Sequence, residues 1–150
     1  MKIISYKKNN SISTGVLLSN NRFINIDKEI NFKGAVYFLE NFNDFKAEIE
    51  NLISLSELST ERLESVELLS PIDKPSSLRD AYAFRQHVET SRKNRGLSMI
   101  DEFDEFPVYY YSNHNAITGP GDICISDKVA RKLDYELEVA VIIGKKGINI

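Results

Sequence analysis

The chain has 150 residues, 42% of them hydrophobic and 27% charged, with a formal net charge of −3. These values predict a soluble globular protein with one domain or two small ones. Its weak negative charge, without a block of Lys and Arg, argues against a nucleic-acid partner. No apolar run approaches the roughly 20 residues of a membrane-spanning helix, so we expect no membrane association and a cytoplasmic location.

The beginning of the chain predicts a small β unit. Short strand-like runs occupy residues 2–6, 14–18 and 22–25, and turns rich in Asn and Ser separate them. Asn20 and Asn21 predict a hairpin turn, because asparagine tolerates positive φ.

The pattern changes to helical spacing between residues 32 and 53. Apolar residues recur there every three or four positions with charged residues between them, which predicts one or two amphipathic helices against the β unit. We interpret these apolar residues as structural, since no reactive side chain is interleaved with them. They are Val36, Leu39, Phe42, Phe45 and Ile49.

Prolines and serines cluster in residues 70–77. Proline lacks a backbone donor and restricts the residue before it, so this run predicts a connection between domains. We therefore expect an N-terminal α+β domain in residues 1–70 and a second domain in residues 71–150.

Residues 79–96 predict a further helix, with Ser77 or Asp80 as its cap and Gly96 at its end. Asp80 and His87 would then project from almost the same side, about 10 Å apart along the axis. That spacing suits an Asp ligand with a His base beside a substrate, rather than two ligands of one ion. On this segment alone, an Asp favoured by the helix dipole and a surface His is the preferred interpretation.

An acidic loop at residues 101–105 precedes a predicted strand with three consecutive tyrosines. Strand alternation places Tyr110 on the face opposite Tyr109 and Tyr111. Beyond the strand, Cys124 is the single cysteine and cannot form an internal disulfide. We expect it to be a buried, inert thiol in a short strand-like run.

Residues 133–144 alternate and are rich in β-branched residues, which predicts a strand. Its acidic side chains would share one face with Ala140 and Ile142, which we expect to be buried. Clustered carboxylates of this kind suit Mg2+, Mn2+ or Ca2+. The alternative, favoured on this stretch alone, is a solvated strand face. The acidic positions are Asp134, Glu136 and Glu138.

Several motifs, in this order and spacing, resemble the fumarylacetoacetate hydrolase family over about residues 70–150. The motifs are Arg79-Asp80 with Phe84 and His87, Phe106-Pro107-Val108, Gly119-Pro120-Gly121-Asp122, and Leu133-Asp134-Tyr135-Glu136-Leu137-Glu138 followed by Ile143-Gly144. The resemblance implies an α+β fold, in which the small N-terminal β-plus-helix domain is followed by the start of a mixed β-roll catalytic core.

The same resemblance implies a divalent metal, Mg2+, Mn2+ or Ca2+, held by Asp80, Glu136 and Glu138. It implies that His87 is the base that activates water, that Tyr110 contacts the substrate, and that the protein is a homodimer. The expected reaction is metal-dependent hydrolysis of a C–C bond in a β-diketone or acylpyruvate-type acid. The expected partner is therefore a small dicarbonyl or 2-oxo acid.

Two departures from the family pattern modify these expectations. The family supplies further ligands and substrate contacts beyond the paired glutamates, so we expect this chain to be the N-terminal portion of a longer protein and inactive alone. The His-x-x-Glu pair of the family's decarboxylase and acylpyruvase members is absent, since Glu89 stands two residues and Thr90 three residues after His87. Either Arg92 or Arg95 is a candidate for the family's substrate-binding arginine.

Two alternatives stay open beside C–C hydrolysis. One is a decarboxylase or isomerase of 2-oxo acids from the same family, because the motifs locate the metal better than they specify the substrate. The other is a noncatalytic folding or interaction module, because the N-terminal β-plus-helix unit carries no reactive residues.

Overall fold

The computed structural model describes residues 1–27, 35–55, 59–72, 74–128 and 130–149. They form two compact units, Met1–Asp73 with Thr118–Ile150, and Lys74–Ile117. Both units combine strands with helices or helical turns, which confirms a mixed α and β fold. The predicted start of the helical region at Phe32 lies outside the described residues.

The first unit contains a five-stranded sheet whose neighbouring strands are all antiparallel. The strand order is β4-β3-β2-β1-β5. The three N-terminal strands confirm the prediction from the alternating runs. The strands are β1 (Lys2–Lys8), β2 (Ser11–Leu17), β3 (Arg22–Asn25), β4 (Glu61–Arg62) and β5 (Glu67–Leu69).

Asparagines make both turns between the first three strands. Asn9 and Asn10 connect β1 to β2 with φ of 49° and 63°, the conformation of a two-residue type I′ hairpin turn. Asn20 and Asn21 precede β3 with φ of 63° and 55°, which confirms the predicted turn. A short asparagine side chain tolerates this left-handed region better than most residues do.

Two helices, α1 (Ala35–Glu40) and α2 (Phe42–Ser54), confirm the predicted helical spacing. Phe38 and Ile49 from these helices pack with Val16 and Ile26 in the core of the first unit. Each fully buried side chain of this size contributes about 1.5–3 kcal/mol through removal from water. The partly buried apolar side chains around this cluster are Ile3, Leu39, Phe45 and Leu52.

The second unit has two strands, β6 (Leu78–Ala81) and β7 (Tyr109–Ser112), and one helix, α3 (Arg85–Asn94). The predicted helix start is wrong, because Asp80 lies in β6 and not in the first turn of a helix. Pairing with the tyrosine strand outweighs the local helical pattern here. Asp80 and His87 are therefore not two turns apart on one helix.

The predicted end of that helix is confirmed at Gly96. The backbone N–H of Gly96 donates to the Lys93 carbonyl at 2.9 Å, and that of Leu97 donates to the Arg92 carbonyl at 3.0 Å. This is the Schellman arrangement, and the φ of 73° at Gly96 is what makes glycine suitable there.

Residues 133–144 do not form the predicted strand. A strand requires hydrogen bonds to a neighbour, and none of the described residues pairs with this stretch. The expected burial of Ala140 and Ile142 is also wrong, since Ala140 is exposed and Ile142 is 51% exposed. Cys124 is exposed rather than buried. A β-roll in this part of the chain stays a prediction.

None of the helices in the described ranges combines the length and the apolar character required to cross a membrane.

Candidate functional site

Strand pairing places two of the predicted site residues side by side in the second unit. Asp80 of β6 lies directly opposite Tyr110 of β7. Directly opposed residues of an antiparallel pair project from the same face, so the carboxylate and the phenol share one surface. Tyr109 and Tyr111 contact each other with ring centroids 5.3 Å apart, and Tyr110 contacts Tyr82 instead. This confirms the predicted alternation of the three tyrosines.

Tyr82 connects this pair to His87. Its ring centroid lies 6.1 Å from that of Tyr110 and 6.4 Å from that of His87, both in edge-to-face geometry. The Tyr82 N–H donates to the Val108 carbonyl at 2.9 Å, which continues the strand pairing beyond β6. Tyr82 is not among the site residues predicted from the sequence, although its position two residues after Asp80 indicates the same face of a strand.

His87 lies in the first turn of α3 beside an open concavity in the surface of the second unit. Its imidazole is solvent-accessible, and Val88, the next residue, is completely buried and anchors the helix. A base that exchanges protons with water requires this combination of access and fixed position. The concavity is lined by Phe84, Arg85, Gln86, His87 and Thr90.

Arg85 holds the acidic side chains near the start of α3. Its Nε donates to Glu89 Oε1 at 2.9 Å, and its Nη1 donates to the carboxylate of Asp104. Chiefly because of the Asp104 hydrogen bond, the pKa of Arg85 is raised above its ordinary value. Glu89 therefore pairs with Arg85.

Glu136 and Glu138 are both exposed and belong to the first unit. A carboxylate oxygen of one lies within 4.8 Å of a carboxylate oxygen of the other. Oxygen ligands of Ca2+ lie at about 2.3–2.6 Å from the ion, so two of them are at most about 5 Å apart. The paired glutamates therefore fit a hard divalent cation in spacing and in donor type. Asp80, the third predicted ligand, belongs to the second unit.

The two candidate substrate-binding arginines lie at the end of α3. Arg92 Nε donates to the carbonyl oxygen of Ser98, so its guanidinium contacts the loop that follows the helix. Arg95 is the C-cap residue, and its backbone N–H donates to the Arg92 carbonyl at 2.9 Å. The described contacts of both residues serve the helix end.

Comparison with known proteins agrees with the family resemblance of the motifs. Residues 77–150 match the family described as fumarylacetoacetate (FAA) hydrolase C-terminal. The chain is 37% identical over 93 residues to the oxaloacetate tautomerase YisK of Bacillus subtilis. The matched region covers 59% of this chain and 28% of that protein. It is 24% identical over 155 residues to a fumarylacetoacetate hydrolase domain-containing protein 2 homolog of Dictyostelium discoideum. That match covers 100% of this chain and 48% of that protein.

The chain thus spans about half or less of the length of the curated relatives that it matches. A third relative, an uncharacterized protein of Methanocaldococcus jannaschii, is 36% identical over 62 residues, which are 37% of this chain and 26% of that protein. The family match covers the residues that carry the Asp80, His87, Tyr110 and paired-glutamate motifs. Through residues 77–150, this chain belongs to the fumarylacetoacetate hydrolase family.

Proposed function

We propose that the whole protein is a metal-dependent enzyme that hydrolyses a C–C bond in a β-diketone or acylpyruvate-type acid. The observation that carries this proposal is the grouping of Asp80, Tyr110, Tyr82 and His87 on one surface of the second unit. It combines a carboxylate, a phenol and an imidazole, which are the groups that such a reaction needs for metal binding, hydrogen bonding and proton transfer.

The proposed metal ligands are the carboxylates of Asp80, Glu136 and Glu138. Anionic oxygen ligands select hard ions, so Mg2+, Mn2+ and Ca2+ are the candidates. A bound ion of this kind supplies Lewis-acid chemistry that polarises a carbonyl oxygen. A 2-oxo or 1,3-dicarbonyl acid offers the pair of oxygens that suits it.

His87 is the proposed general base and acid. An imidazole can both accept and donate a proton, which suits it to general acid–base catalysis. In hydrolysis, His87 takes a proton from water while the water oxygen bonds to the carbonyl carbon. The C–C bond then breaks, and the leaving carbon takes up the proton from the imidazole. Tyr110 is proposed to donate a hydrogen bond to a substrate oxygen.

Tautomerisation of a 2-oxo acid is the second candidate. It is favoured by the similarity to a relative named as an oxaloacetate tautomerase. This reaction moves one proton between carbon and oxygen and breaks no C–C bond, so it needs His87 without an attacking water. Decarboxylation has less support, because Glu89 contacts Arg85 and the His-x-x-Glu pair is absent.

To test the proposal, the whole protein is assayed on two substrates in the presence of Mn2+. An acylpyruvate is followed for cleavage by NMR of its two products, and oxaloacetate for enol-to-keto conversion by ultraviolet absorbance. Cleavage supports hydrolysis; conversion without cleavage supports tautomerisation. We expect His87→Ala to reduce the rate by about 10²–10⁴-fold. Lys93→Gln, a charge change elsewhere on α3, is the control and should leave the rate unchanged.

If the protein accelerates neither reaction above its rate without enzyme, both candidates are wrong and the noncatalytic module is favoured.

We also propose that the protein forms a homodimer and acts on a small dicarbonyl or 2-oxo acid. Light scattering of the purified protein tests the dimer, and a monomer at micromolar concentration would contradict it.

A further inference from the structure

The face of the two-stranded sheet that lies opposite Asp80 and Tyr110 carries an arginine between two tyrosines. The guanidinium carbon of Arg79 lies 5.5 Å from the ring centroid of Tyr109 and 5.2 Å from that of Tyr111. The two rings meet edge-to-face with centroids 5.3 Å apart. The two distances from the guanidinium carbon to the ring centroids are within the range in which a guanidinium is attracted to an aromatic face.

This cluster joins the two strands. Arg79 belongs to β6 and is paired directly with Tyr111 of β7, and Tyr109 lies diagonally across from it. Arg79 Nη1 also donates to Ser77 Oγ at 2.9 Å. All of these partners differ from the residues of the candidate site.

The position of Asp80 depends on the register of these strands. A shift of one residue in a strand sends every side chain to the opposite face. Two-stranded sheets have little stability of their own in water, so side-chain pairs across the strands are what hold the register. In the described structure, the Arg79 cluster is the charged and aromatic contact that spans β6 and β7 on this face.

We propose that Arg79 is a positioning residue: by stacking on Tyr109 and Tyr111, it holds Asp80 opposite Tyr110. Asp80 matters because of the function proposed above, so the inference rests on that proposal for its chemical consequence. The structural part, which concerns the register of β6 and β7, is independent of any metal.

The experiment measures register and metal affinity in the same variants. Nuclear Overhauser effects between the backbone protons of Asp80 and Tyr110 report the register in metal-free protein. Calorimetric titration with Mn2+ reports the affinity. In Arg79→Gln we expect the cross-strand effects to weaken or disappear and Mn2+ binding to weaken by about 10–100-fold, the usual consequence of losing a residue that orients a ligand.

Conservative variants separate stacking from charge. Arg79→Lys keeps the charge but lacks the planar guanidinium that contacts the rings. Its cross-strand Overhauser effects and its Mn2+ affinity should therefore lie between those of the wild type and those of Arg79→Gln. Tyr111→Phe keeps the ring and should retain the cross-strand effects. Lys93→Gln removes a positive charge from the same unit and should change neither measurement.

A general loss of stability is distinguished by Val88→Ala. Val88 is completely buried in the same unit and lies outside the two-stranded sheet. If Val88→Ala lowers the stability as much as Arg79→Gln and weakens Mn2+ binding equally, then Arg79 only stabilises the unit and the inference is wrong. Retained cross-strand effects in Arg79→Gln would also overturn it.

Failure of the proposed function has a different signature. If the wild-type protein does not bind Mn2+, or if Asp80→Asn binds it as tightly as the wild type, Asp80 is not a ligand. The cross-strand effects in metal-free Arg79→Gln then still decide whether Arg79 sets the register.

Discussion

Asp80 lies directly opposite Tyr110 across the two-stranded sheet, and the Tyr82 ring connects this pair to His87 through edge-to-face contacts. The relationship explains how a carboxylate and an imidazole seven residues apart are arranged without a common helix. Asp80 is held by strand pairing and His87 by the first turn of α3. The proposed ligand and the proposed base therefore depend on different contacts, and substitutions should affect them separately.

Neutralising the paired glutamates should weaken metal binding. We expect the Glu136→Gln/Glu138→Gln variant to bind Mn2+ at least about tenfold more weakly than the wild type, because both anionic ligands become neutral amides. Isothermal titration calorimetry measures the change.

The control for that experiment is Glu48→Gln/Glu50→Gln. These two glutamates have the same spacing but lie on α2, where residues two apart do not face each other. This variant should bind Mn2+ as the wild type does. Equal affinity in all three proteins would show that the acidic pair is only a solvated surface.

Phe38→Ala should destabilise the first unit. Phe38 is 1% exposed and packs against the rings of Phe42 and Phe45. Truncation leaves a cavity, for which we expect a loss of about 3–5 kcal/mol in the free energy of unfolding. Val36→Ala is the control, since Val36 is 50% exposed on the same helix, and it should cost about 0.5 kcal/mol or less. Urea unfolding followed by circular dichroism distinguishes the two, and similar losses would contradict the assigned core.

Gly119→Ala should be destabilising because there is no space for a side chain. A Cβ at Gly119 would lie 2.4 Å from the Leu68 carbonyl oxygen and 2.7 Å from the Leu69 Cα, both of them backbone atoms of the same unit. Since backbone cannot easily move away, we expect a loss of about 1–3 kcal/mol in thermal or urea unfolding. In Gly144→Ala the new Cβ would have its nearest contact at 4.0 Å, so this variant should unfold like the wild type.

Tyr111 should ionise at lower pH than an ordinary tyrosine. Its hydrogen bond with the Tyr109 hydroxyl, and then the neighbouring Arg79 guanidinium, lower the pKa of the Tyr111 phenol. The folded state therefore favours the phenolate, and ionisation begins at a lower pH than in the unfolded chain. Ultraviolet titration of tyrosinate, with Tyr111→Phe as the reference for assignment, measures this.

Two substitutions should reverse the lowering of the Tyr111 pKa. Tyr109→Phe removes the hydrogen-bonding hydroxyl, and Arg79→Gln removes the positive charge, so each should raise the pKa of Tyr111 toward its ordinary value. Lys93→Gln should leave the titration unchanged. A Tyr111 that titrates identically in the wild type and both variants would contradict the described contacts.

Local patterns predicted the elements whose conformation depends on neighbouring residues. Asn20 and Asn21 indicated a turn because asparagine tolerates positive φ, and Gly96 indicated a helix end for the corresponding reason. The apolar spacing from Val36 to Ile49 indicated helices that bury one face. It did not distinguish Ile49, which is fully buried, from Val36, which is half exposed, because depth in a core depends on what packs against the helix.

The amino-acid sequence by itself determined the chemical inventory of the candidate site, the turns and helix end, and the family to which residues 77–150 belong. Tertiary structure alone decided that Asp80 is in a strand, that Tyr82 joins Tyr110 to His87, and that residues 133–144 lack strand partners among the described residues. The physical reason is that strand pairing joins residues distant along the chain. A local pattern of side chains carries no information about whether such a partner is present.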